Sequence, residues 1–383
     1  MSCALHAAAR SGAPASAVDA VLRSVHRAVA EIRRGVPVLL TGPSPLVVVP
    51  AETAGASSAA EFAALASGPG WLLLAPPRAA AVLRRPIENA SPAIALRVGD
   101  WAADIVRLRA LADPTLEQML GEPLERDAAP SLAAAALALA KLARLLPAVV
   151  AAPVGPDAAA RACELNLLTV EAADVLAYPA EAAAELRRVA EADVPLLHAR
   201  DCRVVAFRAP DMGIEHLAIV IGSPDRLDRR GEAPLVRIHS ECFTGDLLGS
   251  LRCDCGAQLQ GAIQRMGEEG SGVLLYLSQE GRGIGLVNKL RAYAMQDRGL
   301  DTLDANRALG WGADERNFLI AATMLRELGV DRARLLTNNP DKIAALSACG
   351  IEVVGRVSHL YAPNGLNDRY LETKIRRFGH LAE

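Results

Sequence analysis

Three cysteines stand close together in a chain of 383 residues: Cys242, Cys253 and Cys255, a C-x10-C-x-C pattern. They sit in the polar runs His239-Ser240-Glu241-Cys242 and Arg252-Cys253-Asp254-Cys255. Structural zinc sites close with four ligands, often in paired C-x2-4-C knuckles. Three protein ligands with an open fourth position suit a catalytic zinc that activates water near neutral pH. The bland alternative is three small buried hydrophobes, as free cysteines often are, and polar neighbours on both sides disfavour it. Cys3, Cys163, Cys202 and Cys349 are scattered, and in a reducing compartment a thiol cluster favours metal over disulfides.

Three further runs offer anion-binding chemistry. Gln279-Glu-Gly-Arg-Gly-Ile-Gly285 lies between a strand-like and a helical stretch, where glycines let backbone N–H groups approach an anion at a helix start. Its spacing fits neither G-x-G-x-x-G nor a G-x-x-x-x-G-K-[ST] loop, so a nucleotide bound here is held by other means. Gly312-Ala-Asp-Glu-Arg-Asn317 precedes a helical run, and its acids suit a helix start as well as chemistry. Leu336-Thr-Asn-Asn-Pro-Asp-Lys342 gathers a hydroxyl, two amides and an ammonium suited to phosphate, and is equally compatible with a plain strand-to-helix turn.

The elements that must position these runs follow from periodicity. Strand-like runs at Leu235–His239, Val273–Leu277, Arg334–Thr337 and Ile351–Val354 alternate with helical patterns. One pattern places Leu286, Leu290, Tyr293 and Ala294 on one face, another Phe318, Ala321, Leu325 and Leu328. The expected class is α/β (α+β), a mixed sheet flanked by helices, with the strand directions left open. In the other half, Ala17–Arg34 has helical spacing with Gly35 as its stop, and Val36–Leu40 and Leu46–Val49 flank a Thr41–Pro45 turn as a hairpin. Alanine-rich helices and proline-broken loops follow, with no His, Cys, Asp or Glu group at ligand spacing.

Length suggests two domains. A formal net charge of -3 and 3% aromatic residues argue against a nucleic-acid partner. The most apolar stretch, Ser131–Pro153, is interrupted by Lys141 and Arg144, so a buried helix is expected there and no membrane span. His6 and Arg10 break the first alanine run before an apolar region develops, so no signal peptide is read and a cytoplasmic location is expected.

Read in order, Arg237-Ile-His-Ser-Glu-Cys242, Ser250-Leu-Arg-Cys-Asp-Cys255, Gln279-Glu-Gly-Arg-Gly-Ile-Gly-Leu286, Asn288-Lys-Leu-Arg-Ala-Tyr293, Ala313-Asp-Glu-Arg316 and Leu335-Leu-Thr-Asn-Asn-Pro340 resemble GTP cyclohydrolase II over about Leu186–Leu381. The resemblance implies zinc on Cys242, Cys253 and Cys255. It also implies GTP contacts from Arg237, Ile238, His239, Ser240, Glu241, Gln258, Glu280, Gly281, Arg282, Thr302, Thr337 and Lys342. Tyr293 matches the tyrosine that orients or protonates the guanine ring, Asp314 the proton acceptor, and Arg316 the proposed nucleophile at the α-phosphate. A guanidinium is a poor nucleophile and a good stabiliser of phosphoryl charge, so both roles stay open for Arg316. The family's reaction frees formate and pyrophosphate from GTP at the start of riboflavin synthesis. Magnesium on the phosphates and a homodimer are implied with it.

Ala28–Val49 resembles the start of 3,4-dihydroxy-2-butanone 4-phosphate synthase, and Leu165–Tyr178 the join found in fusions of the two enzymes. That synthase holds magnesium with an acid-rich loop, where this chain reads Thr41-Gly-Pro-Ser-Pro-Leu with Glu52 the only nearby carboxylate. One glutamate is too few oxygen ligands for a hard cation. The expected domains are therefore 1–180, a degenerate synthase-like domain, and 181–383, the cyclohydrolase domain. A true bifunctional enzyme and a non-catalytic GTP-binding paralogue are the competing readings.

Overall fold

The computed structural model describes residues 15–87, 91–116, 124–211 and 213–382. The readings made on Cys3, His6 and Arg10 lie outside them. The chain forms two compact units. One is Ser16–Tyr178 with Val287–Glu315, the other Pro179–Leu286 with the chain from Arg316 onward. A stretch from the middle of the carboxy-terminal half thus belongs to the amino-terminal unit.

In the amino-terminal unit the helix Ala15–Arg33 buries Leu22, Val25, Ala28 and Ile32, spaced three and four apart as one helical face requires. Gly35 then takes φ +77°, where a Cβ would meet the Thr53 carbonyl oxygen at 2.3 Å. The strands are β1 (Val38–Thr41), β2 (Leu46–Pro50), β3 (Trp71–Leu74), β4 (Ile94–Arg97), β5 (Arg126–Asp127), β6 (Ala148–Pro153) and β7 (Thr169–Glu171). Among the described residues they form a sheet in the order β5-β4-β3-β6-β2-β1-β7. β1 and β2 form the expected antiparallel hairpin, with Val38 opposite Val48. The apolar run from Ser131 differs from the single buried helix expected. It makes the helix Ala133–Leu142 and then β6, inside the sheet between β3 and β2. Pro147 cannot continue a helix, Arg144 turns into the left-handed region at φ 58°, and Val149-Val150 favours a strand.

The other unit is built on β8 (Arg187–Asp193), β9 (Cys202–Arg208), β10 (His216–Ile221), β11 (Leu235–Ser240), β12 (Gly272–Leu277), β13 (Arg332–Leu336) and β14 (Glu352–Val357), ordered β14-β13-β11-β12-β10-β9-β8. β14, β13, β11 and β12 run parallel, and β12, β10, β9 and β8 antiparallel, so the sheet is mixed. β12 is apolar along nearly its whole length because both faces are covered, and β11 adds Leu235, Val236 and Ile238 to the same two cores. One face packs Ile238, Leu275 and Leu277 with Ala321 and Leu325 of the helix Leu319–Glu327. The other packs Leu235 and Leu274 with Ile263 and Met266 of the helix Cys255–Glu269. Parallel pairing brings the carboxyl ends of β11, β12 and β13 to one edge, where open α/β sheets bind ligands.

The helix Leu286–Asp297 departs from expectation. Leu290 is exposed, and Asn288, Lys289, Ala292 and Met295 form the buried side. Its polar groups turn inward because each finds a partner there: the Asn288 amide donates to the Arg144 carbonyl at 3.0 Å, and Arg291 pairs with Glu52 and Asp113. Leu275 is fully buried at the centre of β12. Leu275→Ala is expected to cost about 2–5 kcal/mol, read as a shift in the urea unfolding midpoint.

Candidate active site

β11 delivers Arg237, Ile238, His239 and Ser240 to the sheet edge. Beyond it, Cys242 leads into the single helical turn Phe243–Leu247, Cys253 follows on a loop, and Cys255 opens the helix Cys255–Glu269. The three Sγ atoms lie within 4.8 Å of one another, with Cys242 and Cys253 3.8 Å apart. Two sulfurs on a tetrahedral zinc with bonds of about 2.3 Å stand about 3.8 Å apart. Gly245 makes the convergence possible: a Cβ there would lie 2.7 Å from the Cys253 sulfur and 3.0 Å from that of Cys242. The contact with Cys242 pushes the Cys253 thiol up to about 11. Cys242, then Cys253 and burial, push Cys255 well above the ordinary thiol range.

Asp246, which the sequence reading passed over, organises the rim. Its carboxylate accepts from the Cys242 N–H at 2.9 Å, the Tyr276 hydroxyl at 3.0 Å and the His239 Nε2 at 3.1 Å. Burial lowers the His239 pKa against the opposing pull of Asp246, which keeps the ring neutral and aims Nδ1 away from the carboxylate. His239 Nδ1, Arg237 Nε and Ser240 Oγ are buried without a hydrogen-bond partner among the described residues.

Arg237 donates to the Leu336 carbonyl at 2.9 Å and to the Gln258 side chain, which itself donates to Asp254. Burial lowers Arg237 to about 10, with Arg316 adding to the effect and Asp254 opposing it. Lys342 donates to the Ile238 carbonyl at 2.9 Å, and the Thr337 hydroxyl accepts the Asn339 N–H at 3.1 Å. Glu280 accepts the Phe243 N–H at 2.6 Å, tying the turn after β12 to the one after β11. Gly281 and Arg282 both take φ 64°, and the Arg282 guanidinium lies 3.6 Å from the Phe378 ring centroid. A non-glycine residue held left-handed is a strain that functional loops tolerate.

One unit therefore holds Arg237, Ile238, His239, Ser240, Glu241, Cys242, Cys253, Cys255, Gln258, Glu280, Gly281, Arg282, Arg316, Thr337 and Lys342. Tyr293, Thr302 and Asp314 fall in the stretch that belongs to the amino-terminal unit. Asp246, Gly245 and Tyr276 were missed. The Gly245-Asp246 pair inside the ten-residue gap between Cys242 and Cys253 was the available signal, a small residue and an acid where the chain must turn.

The sequence model of the family described as GTP cyclohydrolase II matches residues 187–358. A GTP cyclohydrolase-2 from Azospirillum brasilense is 46% identical over 377 residues, covering 95% of this chain and 95% of that protein. The chain belongs to the GTP cyclohydrolase II family. A GTP cyclohydrolase-2 from Enterobacter sp. (strain 638) is 52% identical over 198 residues, 98% of that protein and 51% of this chain. Thus the GTP cyclohydrolase II family, a family of enzymes, includes proteins matched by both halves of this chain and proteins matched by one. A two domain 3,4-dihydroxy-2-butanone 4-phosphate synthase from A. baumannii aligns with 88% of this chain and 99% of its own at 18% identity. Its TM-score of 0.34 is too low to tie the two folds together.

Raised thiol pKa values have a measurable consequence. Cys253 and Cys255 are protonated at neutral pH before a metal arrives, so uptake of one divalent cation is expected to release at least two protons, one from each. Apparent affinity should therefore climb as pH rises from 6 to 9, checked by calorimetry in buffers of different ionisation enthalpy. Uptake with no proton release would contradict the thiol assignment.

Proposed function

We propose that this chain is a zinc-dependent GTP cyclohydrolase II. It opens the imidazole ring of GTP and releases formate and pyrophosphate, leaving 2,5-diamino-6-(5-phosphoribosylamino)pyrimidin-4(3H)-one, the first step of riboflavin synthesis. The observation that carries this is three sulfurs within 4.8 Å of one another, two of them 3.8 Å apart, beside three buried polar atoms with no hydrogen-bond partner among the described residues. Such a donor set fits zinc: soft, anionic when bound, and leaving a fourth position for the reacting group. When bound, the ion supplies Lewis-acid activation of water at neutral pH.

The chain's own residues do the rest. Arg237, His239 and Ser240 offer their unpartnered atoms to the nucleotide, with Ile238, Glu241 and Gln258 beside them. Glu280, Gly281 and Arg282 form a second wall, and Thr337 and Lys342 sit at the carboxyl end of β13, where a hydroxyl and an ammonium suit phosphate. Thr302 is assigned a further GTP contact. Tyr293 orients the purine and delivers a proton to it, and Asp314 accepts one. Arg316 acts as an electrostatic stabiliser at the α-phosphate, because a guanidinium keeps its proton at neutral pH. Magnesium accompanies the triphosphate. The functional protein is a cytoplasmic homodimer.

The amino-terminal unit is proposed to be a synthase-like domain without synthase activity. Its Glu52 is already engaged, accepting the Leu146 N–H at 2.8 Å and pairing with Arg291 at 2.9 Å. Incubation with ribulose 5-phosphate and magnesium is expected to yield no four-carbon phosphate.

Cys253→Ser is expected to lose both bound zinc and formate release, followed by metal analysis and a formate assay. Arg316→Ala should depress pyrophosphate release by 100-fold or more, an order of magnitude taken from losses of single charge-stabilising groups, and spare the zinc. A zinc-free Cys253→Ser protein with normal formate release would overturn the metal assignment.

A further inference from the structure

The carboxy-terminal helix Asp368–Phe378 has no fully buried residue, and its Leu371 and Ile375 line a cavity of about 410 Å³. Apolar burial therefore does little to hold it in place. Side-chain contacts do. Tyr370, Lys374 and Phe378 recur every four residues and so share one helical face. On that face Lys374 pairs with Asp254, their side chains only 12% and 6% exposed, and its ammonium lies 4.6 Å from the Tyr370 ring centroid. Phe378 stacks on the Arg282 guanidinium. The helix is also pinned at both ends. Before it, the Asn364 amide donates to the Leu251 carbonyl at 3.1 Å, and after it the Leu381 N–H donates to the Asn338 carbonyl at 2.8 Å. It thus runs from the loop between Cys242 and Cys253 to the end of β13, and every residue of the arrangement belongs to the one unit Pro179–Leu286 with the chain from Arg316 onward. His380, just past the helix, records the charge gathered there: burial first, then Lys374, Arg282, Lys342 and Arg316, lower its pKa to about 3. Four cations bearing on one neutral imidazole mark a place suited to an anion.

We propose that this helix is a strap that positions two arginines for the nucleotide: Phe378 aims Arg282, and Lys374, through Asp254 and Gln258, sets Arg237. The inference rests on the reading of Arg237 and Arg282 as GTP contacts given above. A ring against a guanidinium engages its face, while the N–H donors lie in its plane, so the stack fixes where those donors aim without using them. Lys374 acts by neutralising a competitor. Asp254 accepts from both Lys374 and the Gln258 amide, and the Gln258 oxygen accepts from Arg237. Asp254 also stands close enough to Arg237 to raise its pKa against the dominant effect of burial. Stripped of Lys374, that carboxylate would contend with an anionic ligand for the same guanidinium. A strap that tightens binding of a phosphate chain must in turn be held closed by it, because the two equilibria are linked.

The test uses the full zinc-loaded chain, with GTP and inorganic pyrophosphate as probes. Phe378→Ala is expected to weaken pyrophosphate binding about tenfold by calorimetry, and Phe378→Trp, which keeps a ring against Arg282, to hold it within about threefold of wild type. Lys374→Met is expected to raise KM for GTP about tenfold with kcat within about threefold, and Lys374→Arg, which restores the charge, to recover KM. A purely structural role would lower the melting temperature and leave KM and pyrophosphate affinity intact below it. Arg376 and Arg377 are exposed on the strap, so pyrophosphate should slow tryptic cleavage there in the wild type and not in Phe378→Ala. Phe378 is only partly buried, so Phe378→Ala reports on the strap even if Lys374→Met fails to fold. Folded variants with wild-type KM and pyrophosphate affinity overturn the strap. A wild-type chain that takes up zinc and binds neither GTP nor pyrophosphate overturns the reading of the two arginines beneath it.

Discussion

Three thiols brought to one buried point repel each other's ionisation, and that constraint shapes everything around them. The first sulfur to lose its proton makes the second harder to ionise and the third harder still, which is why Cys253 and Cys255 stand above the ordinary range. Without a cation the thiols stay protonated, and a cation shared by all three lets them ionise together. The fold answers with rigid positioning: a strand end for Cys242, a helix start for Cys255, and a glycine between them with no side chain to push the sulfurs apart. Asp246 then fixes the backbone at Cys242 and the ring of His239 with one carboxylate.

The mixed sheet gives this cluster its surroundings. Because β11, β12 and β13 run parallel, their carboxyl ends emerge together, and each emerging loop begins with polar residues. Hydrogen bonds stitch the loops to one another: Lys342 to the Ile238 carbonyl, Arg237 to the Leu336 carbonyl, Glu280 to the Phe243 N–H. Arg237, His239, Glu280 and Lys342 are each already held by a protein contact, so little ordering of these side chains is left for binding.

Much of this was legible in the residues. The C-x10-C-x-C spacing, the strand-to-helix runs at Gln279 and Leu336, and the hairpin at Val38–Pro50 all leave local signatures, and local signatures survive without coordinates. Strand direction does not, since β11 and β12 show the same residues whichever way their neighbours point. Two elements were misread for physical reasons. The run Ser131–Pro153 is apolar on both sides of Lys141 and Arg144, so hydropathy alone could not separate the helix Ala133–Leu142 from β6; Pro147 was the mark of the break. The helix Leu286–Asp297 was assigned its apolar face as the buried one, whereas Asn288 and Arg291 point inward because distant residues, Arg144, Glu52 and Asp113, satisfy them. Partners more than a hundred residues away leave no trace in a local window.

The discontinuity of the amino-terminal unit also bears on how the molecule is made. A domain emerging from the ribosome ordinarily completes its core once its own stretch of chain is out. Here Ser16–Tyr178 lacks a part that arrives only with Val287–Glu315, so Glu52 and Asp113 wait for Arg291 through the synthesis of more than a hundred intervening residues. Folding of the first half is thus tied to translation of the second, and a gene split at the apparent junction would separate two acids from the cation that neutralises them.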